Sequence, residues 1–199
     1  MNQFLRWGVT IGLLATLFLP MVVSSTLFFP FITGKNFGFR IIVGIILALW
    51  LILALRDPAY RPKKTLLIGL MTGFLIILAL ATATAIDPAR AFWSNQERME
   101  GFISFIHLFF YFVILTSTFK TERAWFWFWH TSIGVSVLVG LHGLLQLAGK
   151  AAIHQSSARL DASLGNASYL AVYMLVHIFL TAIYLRRRVK EGSANWVWF

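Results

Sequence analysis

The sequence contains no cysteine. A disulfide framework, thiolate metal ligands and a cysteine nucleophile are therefore excluded, while the compartment stays undecided. Charge is scarce: 12% of the 199 residues are charged, against about 25% in soluble domains. Acids are scarcer still, 7 Asp+Glu against 17 Lys+Arg. With 59% hydrophobic residues, that composition argues against a soluble globular fold. A nucleic-acid binder would gather its net +10 on one face, whereas here the cations punctuate apolar runs, so no nucleic-acid partner is expected. Also missing are a Gly-rich phosphate loop with Lys-Ser/Thr, a His-Glu-x-x-His pair and a Gly-x-Ser-x-Gly elbow, which leaves nucleotide hydrolysis and zinc proteolysis without support. Asp57, Asp87 and Asp161 are isolated from one another in the sequence. They form no paired-carboxylate metal motif, and neither a metal nor another cofactor is expected.

Long apolar runs are what the chain does have. They cover Trp7 to Phe31, Phe37 to Leu55, Thr65 to Ile86, Gly101 to Phe119, Ala124 to Ala148 and Ala167 to Leu185. Each is long enough to cross a hydrocarbon core of about 30 Å as a helix rising 1.5 Å per residue. The runs exceed strand length and lack the alternation of a membrane barrel, so helices remain as the way to satisfy the backbone in lipid. The fold class expected is all-α: a polytopic transmembrane helical bundle of about six spans, a single domain over residues 1–199. Asn195-Trp196-Val197-Trp198-Phe199 reads as the start of a seventh span, and the chain is expected to be the amino-terminal part of a longer protein. The first run continues past Ser25, which fits a span kinked at Pro20; the small residues Val23 to Ser25 also allow a cleavable signal peptide.

Orientation is set by the cations. With the amino terminus in the cytoplasm, Arg6, Arg56, Arg61, Lys63, Lys64, Lys120, Arg123, Arg186, Arg187, Arg188 and Lys190 lie inside. Lys35, Arg40, Arg90, Arg98, Lys150 and Arg159 lie outside. The larger set marks the cytoplasmic side, and the aromatic run Trp125 to Trp129 then sits at the inner interface as a belt.

The outer loops differ from the short basic inner ones. Asp87 to Glu100 mixes both signs (Asp87, Arg90, Glu97, Arg98, Glu100) with Phe92, Trp93 and Asn95. Such a mixture marks a site, an ion-pair cluster, or a segment lying flat at the interface. Gly149 to Asn166 holds His154, Gln155, Ser156, Ser157, Arg159, Asp161, Ser163 and Asn166. Its guanidinium is a rigid fork suited to phosphate oxygens, so Arg159 is a candidate clamp for a lipid pyrophosphate; a surface pairing with Asp161 is the alternative. Within the apolar runs, Glu100, Ser104, His107, Tyr111 and Thr118 fall on one face of the fourth helix, and Asn166, Tyr169, Tyr173, His177 and Tyr184 on one face of the sixth. Such faces avoid lipid. His107 lies about 10 Å along its helix from Glu100 at 1.5 Å per residue and is either a proton carrier or an interhelical hydrogen-bonding group. His142 and Gln146, one turn apart, and His130 and His177 admit the same two readings.

Four stretches resemble the O-antigen ligase and polymerase family of bacterial inner-membrane proteins: Gly34-Lys35-Asn36-Phe37-Gly38-Phe39-Arg40, Arg56-Asp57-Pro58-Ala59-Tyr60-Arg61-Pro62-Lys63, Phe92-Trp93-Ser94-Asn95-Gln96-Glu97-Arg98-Met99-Glu100-Gly101, and Arg159 through Leu164-Gly165-Asn166-Ala167-Ser168-Tyr169-Leu170-Ala171. The resemblance implies a multi-pass enzyme of the bacterial inner membrane that moves a glycan from a polyprenyl pyrophosphate to a sugar or lipid acceptor on the periplasmic face, without nucleotide or metal. It also implies that Arg159, just before the Gly-Asn motif, meets the donor pyrophosphate, with Arg98 a second substrate-binding candidate. Ala167 stands where the family often has proline. The family's second half, with its large outer loop and the histidine associated with base catalysis, has no counterpart here, and His154 does not match that histidine. No catalytic base is therefore carried over. The rival reading is a non-enzymatic multi-span carrier or assembly partner whose polar stripes line a path or pack helices.

Overall fold

The computed structural model describes residues 2–95, 98–154 and 159–190. Among them are seven α-helices and no strand. The helices are α1 (Asn2–Ala15), continued by a 3-10 segment Thr16–Met21, α2 (Thr33–Arg56), α3 (Leu66–Ala83), α4 (Pro88–Trp93), α5 (Phe102–Thr118), α6 (Glu122–Leu147) and α7 (Ala167–Lys190). Five are long and apolar enough to cross a membrane: Asn2–Met21, Thr33–Arg56, Leu66–Ala83, Glu122–Leu147 and Ala167–Arg187. The other expected span, Phe102–Thr118, is apolar but has 17 residues, about 25 Å at 1.5 Å per residue. Glu97, Gln155, Ser156, Ser157 and the run Asn195 to Phe199 lie outside the described residues.

Helix boundaries obey local chemistry. Two Asp-Pro steps act alike, because the residue before proline is driven out of the helical region and its carboxylate is left to cap the next turn. Asp57 (φ −135°, ψ 105°) ends α2 and accepts from the Ala59 N–H at 2.9 Å. Asp87 (φ −128°, ψ 91°) starts α4 and accepts from the Arg90 N–H at 2.9 Å. Thr65 caps α3 by accepting from the Ile68 N–H at 3.3 Å.

The first expected span is corrected. It begins at Asn2 and its helix ends at Met21, and residues 22–32 run through turns. Pro20 sits in the 3-10 segment that tightens the helix before it stops. Ser24 then donates its N–H to the Pro30 carbonyl at 3.1 Å, and Leu27 donates back to Ser24 at 3.2 Å. Hydropathy alone does not separate this apolar loop from a span, although Phe28 is 89% exposed.

The chain divides into two compact units, Met1–Trp129 and His130–Phe199, with the boundary inside α6. In the first, α1, α2, α5 and the start of α6 enclose Val9, Leu13, Ile46, Trp50, Ala54, Val113, Ile114, Leu115, Phe119 and Phe128. The aromatic run splits by helical spacing: Trp125, Phe128 and Trp129 pack on this core, while Trp127 is exposed. In the second unit Val135, Val139, Ala162 and Leu170 form the core, with Tyr173 and Met174 against it.

The contact between α1 and α2 rests on small residues. Gly8 and Gly12, four apart on α1, face α2, and a Cβ on Gly12 would overlap Ile46 Cγ2. Glycine lets the backbones approach, as small residues do between membrane helices. Ile46 is 1% exposed and, being β-branched, is stiff about χ1. Gly12→Ala is therefore expected to destabilise the first unit by about 1–3 kcal/mol, the usual range for overpacking. Thermal unfolding in detergent measures this, and a Gly12→Ala/Ile46→Ala pair loses less than the two single losses combined, because the second change removes the overlapping methyl.

Candidate functional site

Two polar constellations stand out, one in each unit. In the first, α2 presents Asn36 and Arg40, four residues apart and so on one face. Asn36 Nδ2 donates to the Arg98 carbonyl at 2.9 Å and to Glu100 Oε1 at 3.2 Å. Arg40 Nη2 donates to the Met99 carbonyl and to Ser104 Oγ, the latter at 3.1 Å. The Ser104 hydroxyl in turn donates to the Met99 carbonyl at 3.2 Å. Arg40 is only 9% exposed, with its guanidinium carbon 5.7 Å from the centre of the Phe37 ring, within the range of a cation–π contact. The backbone between α4 and α5 is held in an unusual shape: Met99 has φ 49°, and a Cβ on Gly101 would collide with the Phe92 carbonyl.

The α5 stripe finds its partners in this unit. Glu100 and Ser104 meet Asn36 and Arg40 of α2, and the Tyr111 hydroxyl accepts from Thr16 Oγ1 at 3.0 Å. His107 is half-buried with Nδ1 2.7 Å from the Ile103 carbonyl. That bond is within its own helix, so of the two sequence readings the interhelical bond is not the one this ring nitrogen makes. Thr118 Oγ1 is buried without a hydrogen-bond partner.

In the second unit the loop after α6 is tied by one glutamine. Gln146, 3% exposed, donates from Nε2 to the Ala152 carbonyl and to Asp161 Oδ1, both at 2.7 Å. Its Oε1 accepts the N–H of Asp161 at 3.2 Å and of Ala162 at 2.8 Å. Both donors and both lone pairs of the amide are thereby used, and the side chain is saturated. Asp161 Oδ2 also accepts the His154 N–H at 2.9 Å, and His154 Nδ1 lies 3.6 Å from Asp161 Oδ1. Ala162 adopts φ 46° and Gly165 φ 66°, left-handed values of which the first is strained for a residue with a Cβ. Asn166 Oδ1 then caps α7, accepting from Ser168 at 2.8 Å and Tyr169 at 3.3 Å.

Asp161 is not a surface group. The carboxylate is 1% exposed and belongs to the Gln146 knot. Arg159, two residues earlier, is exposed. On α7, His177 has Nδ1 2.8 Å from the Tyr173 carbonyl and Nε2 3.0 Å from Ser132 Oγ. A carbonyl only accepts, so Nδ1 donates to it, and the hydrogen bond between Nε2 and the Ser132 hydroxyl joins α6 to α7. The His130 and Tyr184 rings meet edge-on, centroids 5.0 Å apart.

Of the two arginines singled out in the sequence, Arg98 lies in the first unit and Arg159 in the second, and both are exposed. Sequence reasoning missed Arg40 and Asn36 as the holders of the Arg98 segment and Gln146 as the holder of Asp161. The available signal was an arginine inside an apolar run, a placement that requires a partner. Among the described residues no group of three or more His, Asp or Glu is placed to hold a metal ion. No protein-family model, curated protein or solved structure matches the chain.

Proposed function

We propose that this protein is a membrane glycan transferase of the O-antigen ligase type, working in a bacterial inner membrane with its amino terminus in the cytoplasm. In this reading six spans cross the bilayer, Phe102–Thr118 among them. The segments carrying Arg98 and Arg159 face the periplasm. The donor is a glycan on a polyprenyl pyrophosphate, and the acceptor is a sugar or lipid.

The observation that carries the reading is the exposed Arg159 on a loop whose next residues are locked by Gln146. Pyrophosphate leaves readily when its developing charge meets cations already in place, because no reorganisation is then needed at the moment of reaction. A guanidinium on a tethered loop at a membrane surface meets that requirement, and its fork matches two phosphate oxygens at once. The four sequence stretches that resemble the family support the same assignment.

The test is reconstitution of the full-length protein in liposomes with a polyprenyl-pyrophosphate oligosaccharide and an acceptor, without nucleotide. Formation of the glycan–acceptor bond with release of polyprenyl pyrophosphate is the expected result. Binding or transbilayer movement of the donor without bond formation would replace the enzyme by the carrier reading.

A further inference from the structure

We infer that Arg40, assisted by Asn36, is the positioning residue that aims Arg98 at the donor pyrophosphate; this rests on the transferase reading and adds to it the means by which one of its cations is held. A guanidinium buried within an apolar helix is costly, and an ionisable group in such a place marks function by default, with its partner named. The partners of Arg40 are the backbone and one hydroxyl of a short segment, and the Glu100 carboxylate of that segment attracts it. Its Nη2 donates to the Met99 carbonyl and to Ser104 Oγ, and Asn36 takes the preceding carbonyl, that of Arg98, at 2.9 Å. Two consecutive carbonyls are thus gripped from one face of α2.

A second, independent feature shows that the grip matters. Met99 is held at φ 49°, a conformation that persists in a residue with a side chain only where the surroundings over-determine it. The turn is closed on its far side by Gly101, whose missing Cβ leaves room for the Phe92 carbonyl. Arg98 emerges from this fixed backbone with its own side chain exposed. Orientation of a charged group before the ligand arrives is what turns a surface cation into an effective one.

The experiment uses the full-length protein in nanodiscs and polyprenyl pyrophosphate itself as the probe. Arg40→Gln is expected to weaken binding about tenfold and Asn36→Ala by a smaller factor, in proportion to the charge-assisted and neutral hydrogen bonds removed. In an Arg98→Ala background neither change has a further effect, because both act through Arg98. Amide exchange over residues 98–104 accelerates about tenfold in Arg40→Gln. Should Arg40→Gln fail to fold, Asn36→Ala carries the same cycle. Equal weakening with and without Arg98, unchanged exchange, or no binding of the probe by the wild type would each overturn the inference. Binding that obeys the expected cycle without any glycan transfer would defeat the transferase reading alone.

Discussion

Arg159→Ala is expected, on the proposed transferase reading, to lower glycan transfer by the full-length protein about a hundredfold or more, the effect of removing one preorganised charge-stabilising donor from a transition state. Arg159→Lys falls between that variant and the wild type, because an ammonium supplies the charge without the bidentate fork. The loss is expected in the transfer step and not in folding. Arg159 is exposed, and the conformation of the residues after it is set by Gln146, Asp161 and Asn166. The liposome assay gives the rate, and matching thermal unfolding of the variant and wild type shows that the scaffold is intact. Normal transfer by both variants would remove Arg159 from the mechanism.

Gln146→Leu is expected to destabilise the second unit by about 3–5 kcal/mol, the range for stripping partners from a buried charge. Leucine has nearly the volume of glutamine, so the loss is one of hydrogen bonds and not of packing. The Ala152 carbonyl, the N–H groups of Asp161 and Ala162, and Asp161 Oδ1 all lose the partner they have in Gln146. A buried polar group left unpaired costs about 1–3 kcal/mol, and the strained φ of Ala162 loses the bond that holds it. Gln146→Glu does at least as much harm, since it places a second carboxylate against Asp161 and withdraws the donor. Amide exchange over residues 147–165 reports the local loss, and thermal unfolding reports the rest. Wild-type protection in Gln146→Leu would show that the knot does not stabilise the loop. Transfer falls in this variant too, although Gln146 touches no substrate in the proposed reading, because Arg159 is carried on the loop it ties.

The helical class and most helix positions were legible from apolar run length and scarcity of charge, because a long run with few charges is satisfied most simply by backbone bonds within one helix. The Asp57-Pro58 and Asp87-Pro88 steps are equally local, each aspartate capping the turn that follows it. The end of the first helix was not legible. Hydropathy continues through residues 22–31, and only the hydrogen bonds of Ser24 and Leu27 distinguish that loop from a span. The α5 stripe was legible as a face, but its partners Thr16, Asn36 and Arg40 depend on how α1 and α2 are set against α5. A single sequence does not state that register. Asp161 shows the limit most clearly: it reads as a surface group, yet it is buried and hydrogen-bonded to a side chain fifteen positions back on α6. His107 marks the opposite case, a polar group whose ring nitrogen turns to its own helix.

In the proposed reading two guanidinium groups, those of Arg98 and Arg159, stand at the extracytoplasmic rim of a membrane-embedded helical scaffold, where a lipid diphosphate can reach them. The absence of cysteine from these 199 residues makes this directly measurable with single-cysteine variants of this chain. Arg98→Cys and Arg159→Cys are labelled by a membrane-impermeant maleimide in right-side-out vesicles and shielded in inside-out vesicles, while Lys63→Cys shows the reverse. Labelling of positions 98 and 159 from the cytosolic face alone would contradict the proposed mechanism.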